Sequence, residues 1–184
     1  MKNYIVFLKG INVAGKNLVK MPALKTALTN NNLLEIKTYI QSGNILISNS
    51  NLDVNTIKEK IEKILREDLK IDTVSFVYSV EEIQTIINEI PFPIKDTKQL
   101  YFSFLSEIPS KEKQDLLLKK DYKHDAFQIS KKHIYICCIN GYGKTKLNNN
   151  FFEKNLRLKA TTRNWNTVNR MITLAGEQNI TSPH

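Results

Sequence analysis

Cysteine is scarce in this chain. Only Cys137 and Cys138 occur, side by side. Neighbouring strand residues point to opposite faces, so a bridge between them would be strained. The pair reads as two reduced thiols packed inside, and a disulfide scaffold is excluded. No cysteine spacing suits a zinc site. Histidine is as rare, with His124, His133 and His184. If Lys131 and Lys132 make a hairpin turn, the first two histidines stand ~15–20 Å apart. That is too far to share a metal or a proton, so each reads as a surface or strand-edge residue. Long apolar runs are missing too. Nothing approaches the ~18 residues of a membrane span, and Tyr4–Leu8 is too short for a signal-peptide core. A cytoplasmic protein with no membrane contact is expected. No nucleophile elbow, paired-carboxylate or metal-ligand signature appears. The residues leave any cofactor unknown.

Acidic residues are the last shortage. There are 18 against 27 lysines and arginines, a net charge of +9. Such a surplus suits a polyanionic partner. The richness in Lys, Asn and Ile also fits A/T-heavy codons, so the bulk charge alone assigns nothing. What is present is globular: 184 residues, 41% hydrophobic and 24% charged.

The chain opens on Tyr4–Leu8, a short run that is apolar on both faces and reads as a buried strand. Gly10, four residues, Gly15 and Lys16 then nearly match a phosphate-binding P-loop. Asn17 stands where a Ser or Thr should hold magnesium. Pro22 starts a helix several residues too late to aim its amides at a phosphate. A glycine loop with exposed lysines is the simpler reading. A short helix over Pro22–Thr29 follows, with Leu24, Ala27 and Leu28 on one face. Strands at Glu35–Ile40 and Asn44–Ser48 flank Gln41-Ser42-Gly43-Asn44, whose Gly-Asn pair signals a hairpin. Gln41, Ser42 and Asn44 are either polar site residues or turn chemistry. Asp53 caps a helix reaching about Glu67, with Val54, Ile57, Ile61, Ile64 and Leu65 as its stripe. Asp72–Tyr78 is a strand. The order strand, helix, hairpin, helix, strand is the ferredoxin-like βαββαβ pattern.

Ser79-Val80-Glu81-Glu82 has capping-box spacing. It opens a helix that Pro91 and Pro93 stop. The earlier order then recurs: a strand at Gln99–Ser106, a helix around Ser110–Lys119, a hairpin of Asp125–Ser130 and His133–Ile139, a helix over Leu147–Leu156 and a strand at Lys159–Thr162. A last helix starts at Asn164, carries Trp165, Val168, Ile172 and Ala175 on one face, and stops at Gly176. The expected fold is α+β: two tandem ferredoxin-like βαββαβ units, residues 1–78 and 79–184, with antiparallel sheets covered by helices and a C-terminal helix.

Positive charge gathers between Gly143 and Arg170, with Lys144, Lys146, Lys154, Arg157, Lys159, Arg163 and Arg170 against Glu153 alone. Tyr142, Phe151, Phe152 and Trp165 lie among them. Basic residues interleaved with aromatics suit single-stranded nucleic acid. Phe151, Phe152 and Leu156 equally fit a helix core stripe. Two stretches have no packing explanation: the loop Asn140-Gly141-Tyr142-Gly143-Lys144-Thr145-Lys146, and Thr162-Arg163-Asn164-Trp165-Asn166-Thr167. Asn164 as an N-cap sets Arg163, Asn166 and Thr167 at a helix start, where amides attract anions. Lys9, Asn12, Lys16, Gln41, Ser42, Asn44, Lys144, Lys146, Arg163, Asn166 and Thr167 are the candidate ligand-binding residues. The expectation is that their loops share one basic hollow.

Four stretches also carry a resemblance: Lys9-Gly10-Ile11-Asn12-Val13-Ala14-Gly15, Tyr39-Ile40-Gln41-Ser42-Gly43-Asn44, Gly141-Tyr142-Gly143-Lys144-Thr145-Lys146-Leu147 and Arg163-Asn164-Trp165-Asn166-Thr167. Together they resemble an uncharacterised bacterial family, the domain of unknown function DUF1697. Its members open with Arg-Gly-Ile-Asn-Val-Gly-Gly and close with Ala-Arg-Asn-Trp-Asn-Thr. Lys9, Ala14 and Thr162 depart from that pattern, and Lys9 keeps the charge without the bidentate fork of Arg. The resemblance implies a two-part α+β fold and brings no activity with it. The expected function is therefore an anion-binding module for a nucleotide, a phosphorylated metabolite or nucleic acid. An enzyme on a small anionic substrate and a protein-interaction module are the alternatives. The expected state is a monomer or weak dimer.

Overall fold

The N-terminal apolar run lies in strand β1 (Lys2–Leu8), and a sheet forms on both of its edges. The computed structural model describes residues 2–33, 35–93, 96–119, 122 and 124–180. After β1 come α1 (Met21–Asn30), β2 (Ile36–Tyr39), β3 (Asn44–Ser50), α2 (Val54–Glu67), β4 (Ser75–Ser79) and α3 (Val80–Asn88). The strand order is β2-β3-β1-β4, all antiparallel, with Val6 opposite both Ile45 and Val77. Tyr4, Val6 and Leu8 face the core that α1 and α2 close with Leu24, Leu28, Ile57, Ile61, Ile64 and Leu65. Each fully buried aliphatic of this kind contributes roughly 1.5–3 kcal/mol. Ile5 and Phe7 point the other way and are also fully buried. An unbroken apolar run is what a strand covered on both faces requires.

Local chemistry sets the helix starts. Asp53 accepts from the Asn55 and Thr56 amides at 2.9 and 3.1 Å. The Thr56 hydroxyl and amide hold its carboxyl below the usual range. Ser79 and Glu82 form a reciprocal capping box: the Ser79 amide donates to Glu82 Oε2 at 2.7 Å, and the Glu82 amide donates to Ser79 Oγ at 3.1 Å. Strand β4 begins at Ser75, later than Asp72, because the residues before it serve the loop after β1. The Lys9 amide donates to Val74 O at 3.0 Å, and the Thr73 hydroxyl donates to Lys9 O at 2.6 Å.

The same order then repeats: β5 (Leu100–Leu105), α4 (Lys111–Leu118), β6 (Ala126–Ser130), β7 (His133–Cys137), α5 (Asn149–Leu156), β8 (Ala160–Asn164) and α6 (Trp165–Ile180). The second sheet has order β6-β7-β5-β8, again antiparallel. Two tandem ferredoxin-like units thus make up this α+β fold. The compact units are Met1–Asn88 with Asn169–His184, and Glu89–Val168. In the second, Leu105, Ile134, Ile136, Phe152, Leu156 and Ala160 build the core on one face of the sheet. Leu100, Phe102, Phe104 and Tyr135 alternate with them, and they too are buried.

Two expectations need correcting. His133 is only 5% exposed, not a surface residue. Its ring meets Tyr135 edge-on at 4.8 Å, and burial, with Lys131 nearby, lowers its pKa to about 4. Gly176 does not stop the last helix, which continues to Ile180. Arg170 and Glu177 bridge at 2.8 Å across that point, and Met171, absent from the expected stripe, is fully buried. The first hairpin forms as expected, with Ile40 and Gly43 in the left-handed conformation and Asn44 opening β3. His184 lies outside the described residues.

Candidate functional site

In the first unit the glycine loop is a knot of side chain to backbone bonds. Asn12 Nδ2 donates to Val19 O at 2.9 Å and to Gln41 O at 2.8 Å, and Asn12 Oδ1 accepts from the Val19 amide at 2.8 Å. Asn17 Nδ2 donates to Gly10 O at 3.1 Å. The loop therefore closes on itself and on the hairpin tip before α1 starts at Met21, five positions beyond Lys16. Asn44 is fully buried, and its Nδ2 donates to Tyr39 O and Ser42 Oγ, both at 3.0 Å. Gly43 has φ +74°, and a Cβ there would sit 2.8 Å from Leu8 Cβ. Asn12, Ser42 and Asn44 thus shape the corner. Lys16 and Gln41 are exposed on it, and Lys9 is half-buried at its root.

The second unit holds the other five predicted residues. Asn164 Oδ1 accepts from the Thr167 amide at 2.8 Å, capping α6. Arg163 precedes it and is buried. Its Nη1 donates to Thr161 Oγ1 at 2.8 Å and Thr162 O at 2.9 Å. Burial lowers its pKa to about 10, against an opposing influence from Tyr142. Asn166 is exposed and Thr167 buried. The loop 140–148 contains a 3-10 turn at Tyr142–Lys144. Tyr142 lies on Tyr101 with ring centroids 4.8 Å apart, and Tyr101 pairs with Asn164. Two of the predicted loops therefore meet in this unit.

Lys144 and Lys146 line a cavity of about 210 Å³ with Tyr122, His124, Asp125, Asn140, Thr145 and Leu147. Arg163, Asn166 and Thr167 do not line it. Part of the lining is engaged by the fold. The Tyr122 hydroxyl donates to Leu117 O at 2.9 Å, Asp125 Oδ1 accepts from the Ile139 amide at 3.1 Å, and Thr145 Oγ1 accepts from the Leu147 amide at 3.0 Å. The side chains of His124, Asn140, Lys144 and Lys146 have no hydrogen-bond or ion-pair partner among the described residues. Two ammonium groups, an amide and an imidazole therefore have donors left for a guest. Beneath them Cys138 is a buried thiol whose pKa burial pushes up to about 11. Among the described residues no three His, Cys, Asp or Glu stand close enough to hold a metal, and no helix is long and apolar enough to cross a membrane.

The chain belongs to the DUF1697 family. That family, a protein of unknown function, matches residues 1–135. The solved structure of conserved bacterial protein SP0830 from Streptococcus pneumoniae is similar to this DUF1697 chain over 96% of its length and 99% of the other's, at 24% identity and a TM-score of 0.75. That likeness concerns the fold. No curated protein matches the chain.

Sequence reasoning placed Lys144 and Lys146 in this DUF1697 site and missed His124 and Asn140. A signal for them existed. In the hairpin Ala126 pairs with Cys137, so His124 and Asp125 run out of β6 beside the loop that leaves β7. The same register sets His124 opposite Ile139, next to Asn140.

Proposed function

We propose that this DUF1697 chain binds a small phosphate-bearing molecule between Lys144 and Lys146. The observation that carries the reading is the set of four side chains without partners among the described residues, two of them cationic, on one cavity. Among the described lining residues the only carboxylate is Asp125, and one of its oxygens is committed to the Ile139 amide. Size narrows the ligand. About 210 Å³ falls below the roughly 300–1,000 Å³ that encloses a drug-sized ligand, so a phosphate group with a short carbon tail fits better than a whole nucleotide. Nucleic acid fits less well for another reason. Phe152 is fully buried, and Phe151 is half-buried against Phe152 and Tyr122 at 5.3 and 5.7 Å, so these aromatics serve the core before any base.

A catalytic variant of this reading rests on His124, which lines the cavity beside Asp125. An imidazole next to a bound phosphate monoester has the chemistry of a general acid or base. Phosphate release from monoesters by the wild-type chain, lost in His124→Ala, would distinguish an enzyme from a binding module.

Thermal unfolding with inorganic phosphate or glycerol phosphate tests the binding. Saturation at about 100 times the dissociation constant adds roughly 2.7 kcal/mol, a rise of about 5–11 °C at this size. Chloride at equal ionic strength should not reproduce it. The double variant Lys144→Ala, Lys146→Ala should lose the rise and keep its own melting temperature within about 2 °C, because exposed side chains contribute little to stability. No rise in the wild type, or an equal rise in the double variant, refutes the site.

A further inference from the structure

Strand β6 (Ala126–Ser130) is an outer strand of the second sheet. Among the described residues it pairs with β7 alone. The turn Lys131–Lys132 joins Ser130 directly to His133, and a two-residue loop makes that pair exchange both of its hydrogen bonds. The alternation then assigns the rest. Ala126, Gln128 and Ser130 bond inward to β7, while the N–H and C=O groups of Phe127 and Ile129 point outward. Ala126 and Gln128 are exposed and Phe127 and Ile129 half-buried. An outer strand of this kind is ordinarily blunted by lysine, proline or a bulge. Ala-Phe-Gln-Ile-Ser has none of these.

We propose that β6 pairs antiparallel with β6 of a second copy of this chain, about a two-fold axis at Gln128. The register follows from the residues. Centring on Gln128 sets Phe127 against Ile129 of the other copy, so the outward backbone groups bond to each other twice. It also sets Lys131 against Asp125 of the other copy, again twice by symmetry. Sliding the axis to Phe127 or Ile129 sets Asp125 against Ile129, or Lys131 against Phe127, and separates the opposite charges. The charge pattern at the two ends of the strand therefore selects one self-complementary alignment. The partner is a second copy, because only a strand carrying the same pattern in reverse supplies both pairs. Five residues span about 17 Å, which is too little for the roughly 1,200 Å² of a stable interface. The dimer is accordingly weak and concentration-dependent. Asp125 also lines the phosphate cavity, but the strand pairing requires no bound ligand.

Sedimentation velocity from low micromolar to about millimolar protein, near physiological salt, tests it. The wild type should shift reversibly from 21.3 kDa to twice that mass. Ile129→Pro removes an outward N–H and leaves the bonds to β7 in place, so dimer should disappear while circular dichroism is retained. Lys131→Glu, in the exposed turn, should weaken association roughly tenfold. Asp125→Lys should do the same, and mixing these two variants should restore it, because each then meets its opposite charge. Restoration in the mixture is an effect that a merely misfolded variant does not produce. A single-chain mass at every concentration, or a dimer indifferent to Ile129→Pro and Lys131→Glu, overturns the proposal.

Discussion

Asn12 and Gln41 lie 29 residues apart in sequence, yet the Asn12 amide donates to the Gln41 carbonyl at 2.8 Å. The same side chain closes the glycine loop through both atoms of Val19 that it reaches, its N–H and its C=O. One asparagine therefore fixes two turns. Asn12→Ala should destabilise the chain by about 1.5–4.5 kcal/mol, from three net hydrogen bonds of roughly 0.5–1.5 kcal/mol each. Asn12→Asp keeps the acceptor and loses both bonds donated by Nδ2, so it should fall between. Urea denaturation midpoints rank the three proteins, and equal midpoints would refute the role.

Gly43 is the hairpin's tightest position. Its φ of +74° disfavours any side chain, and an added Cβ would lie 2.8 Å from Leu8 Cβ and 3.0 Å from Ile11 Cγ1. Both neighbours are core residues that cannot retreat freely. Gly43→Ala should cost about 2–4 kcal/mol, combining overpacking with the left-handed penalty. Differential scanning calorimetry reads the loss.

Gly176 predicts the opposite sign. It sits inside α6, exposed, with nothing within 4 Å of where a Cβ would go. Gly176→Ala should stabilise the chain by roughly 0.5–1 kcal/mol. A melting temperature that falls would refute a continuous helix there.

His133 supplies a pH dependence. Burial lowers its pKa to about 4 in the folded chain, from an ordinary value near 6.5. Between those values the unfolded chain takes up a proton that the folded chain refuses. Stability contributed by the neutral ring is complete above pH 6.5, is lost as pH falls toward 4, and loses nothing more below. Denaturation midpoints measured across that window should flatten in His133→Gln.

Elements held by neighbours in sequence were legible: the Asp53 cap, the Ser79–Glu82 box and the α2 stripe each depend on residues within a few positions. The repeat was legible because each βαββαβ half is a succession of such local signals. Gly176 misled because glycine ends a helix or tolerates its middle with the same letter, and the Arg170–Glu177 bridge decides between them. His133 misled because it follows a lysine pair, while its register opposite Phe104 carries it into the interior. The cavity was half legible. Lys144 and Lys146 stand in a conspicuous glycine loop, whereas His124 and Asn140 join them only through the pairing of β6 with β7.

The inner position of β1 bears on how the chain is made. Tyr4 pairs with Ile47 on one side and Ser79 on the other. At about 5–20 residues per second of synthesis, roughly 4–15 seconds separate the appearance of this strand, apolar from Tyr4 to Leu8, from that of its last partner. Until then at least one of its edges is open, and β5 repeats the wait between Tyr101 and Asn164. Each half of the molecule is thus born with its stickiest segment uncovered, so its yield in a cell should depend on chaperone capacity and growth temperature more than the stability of the finished fold suggests.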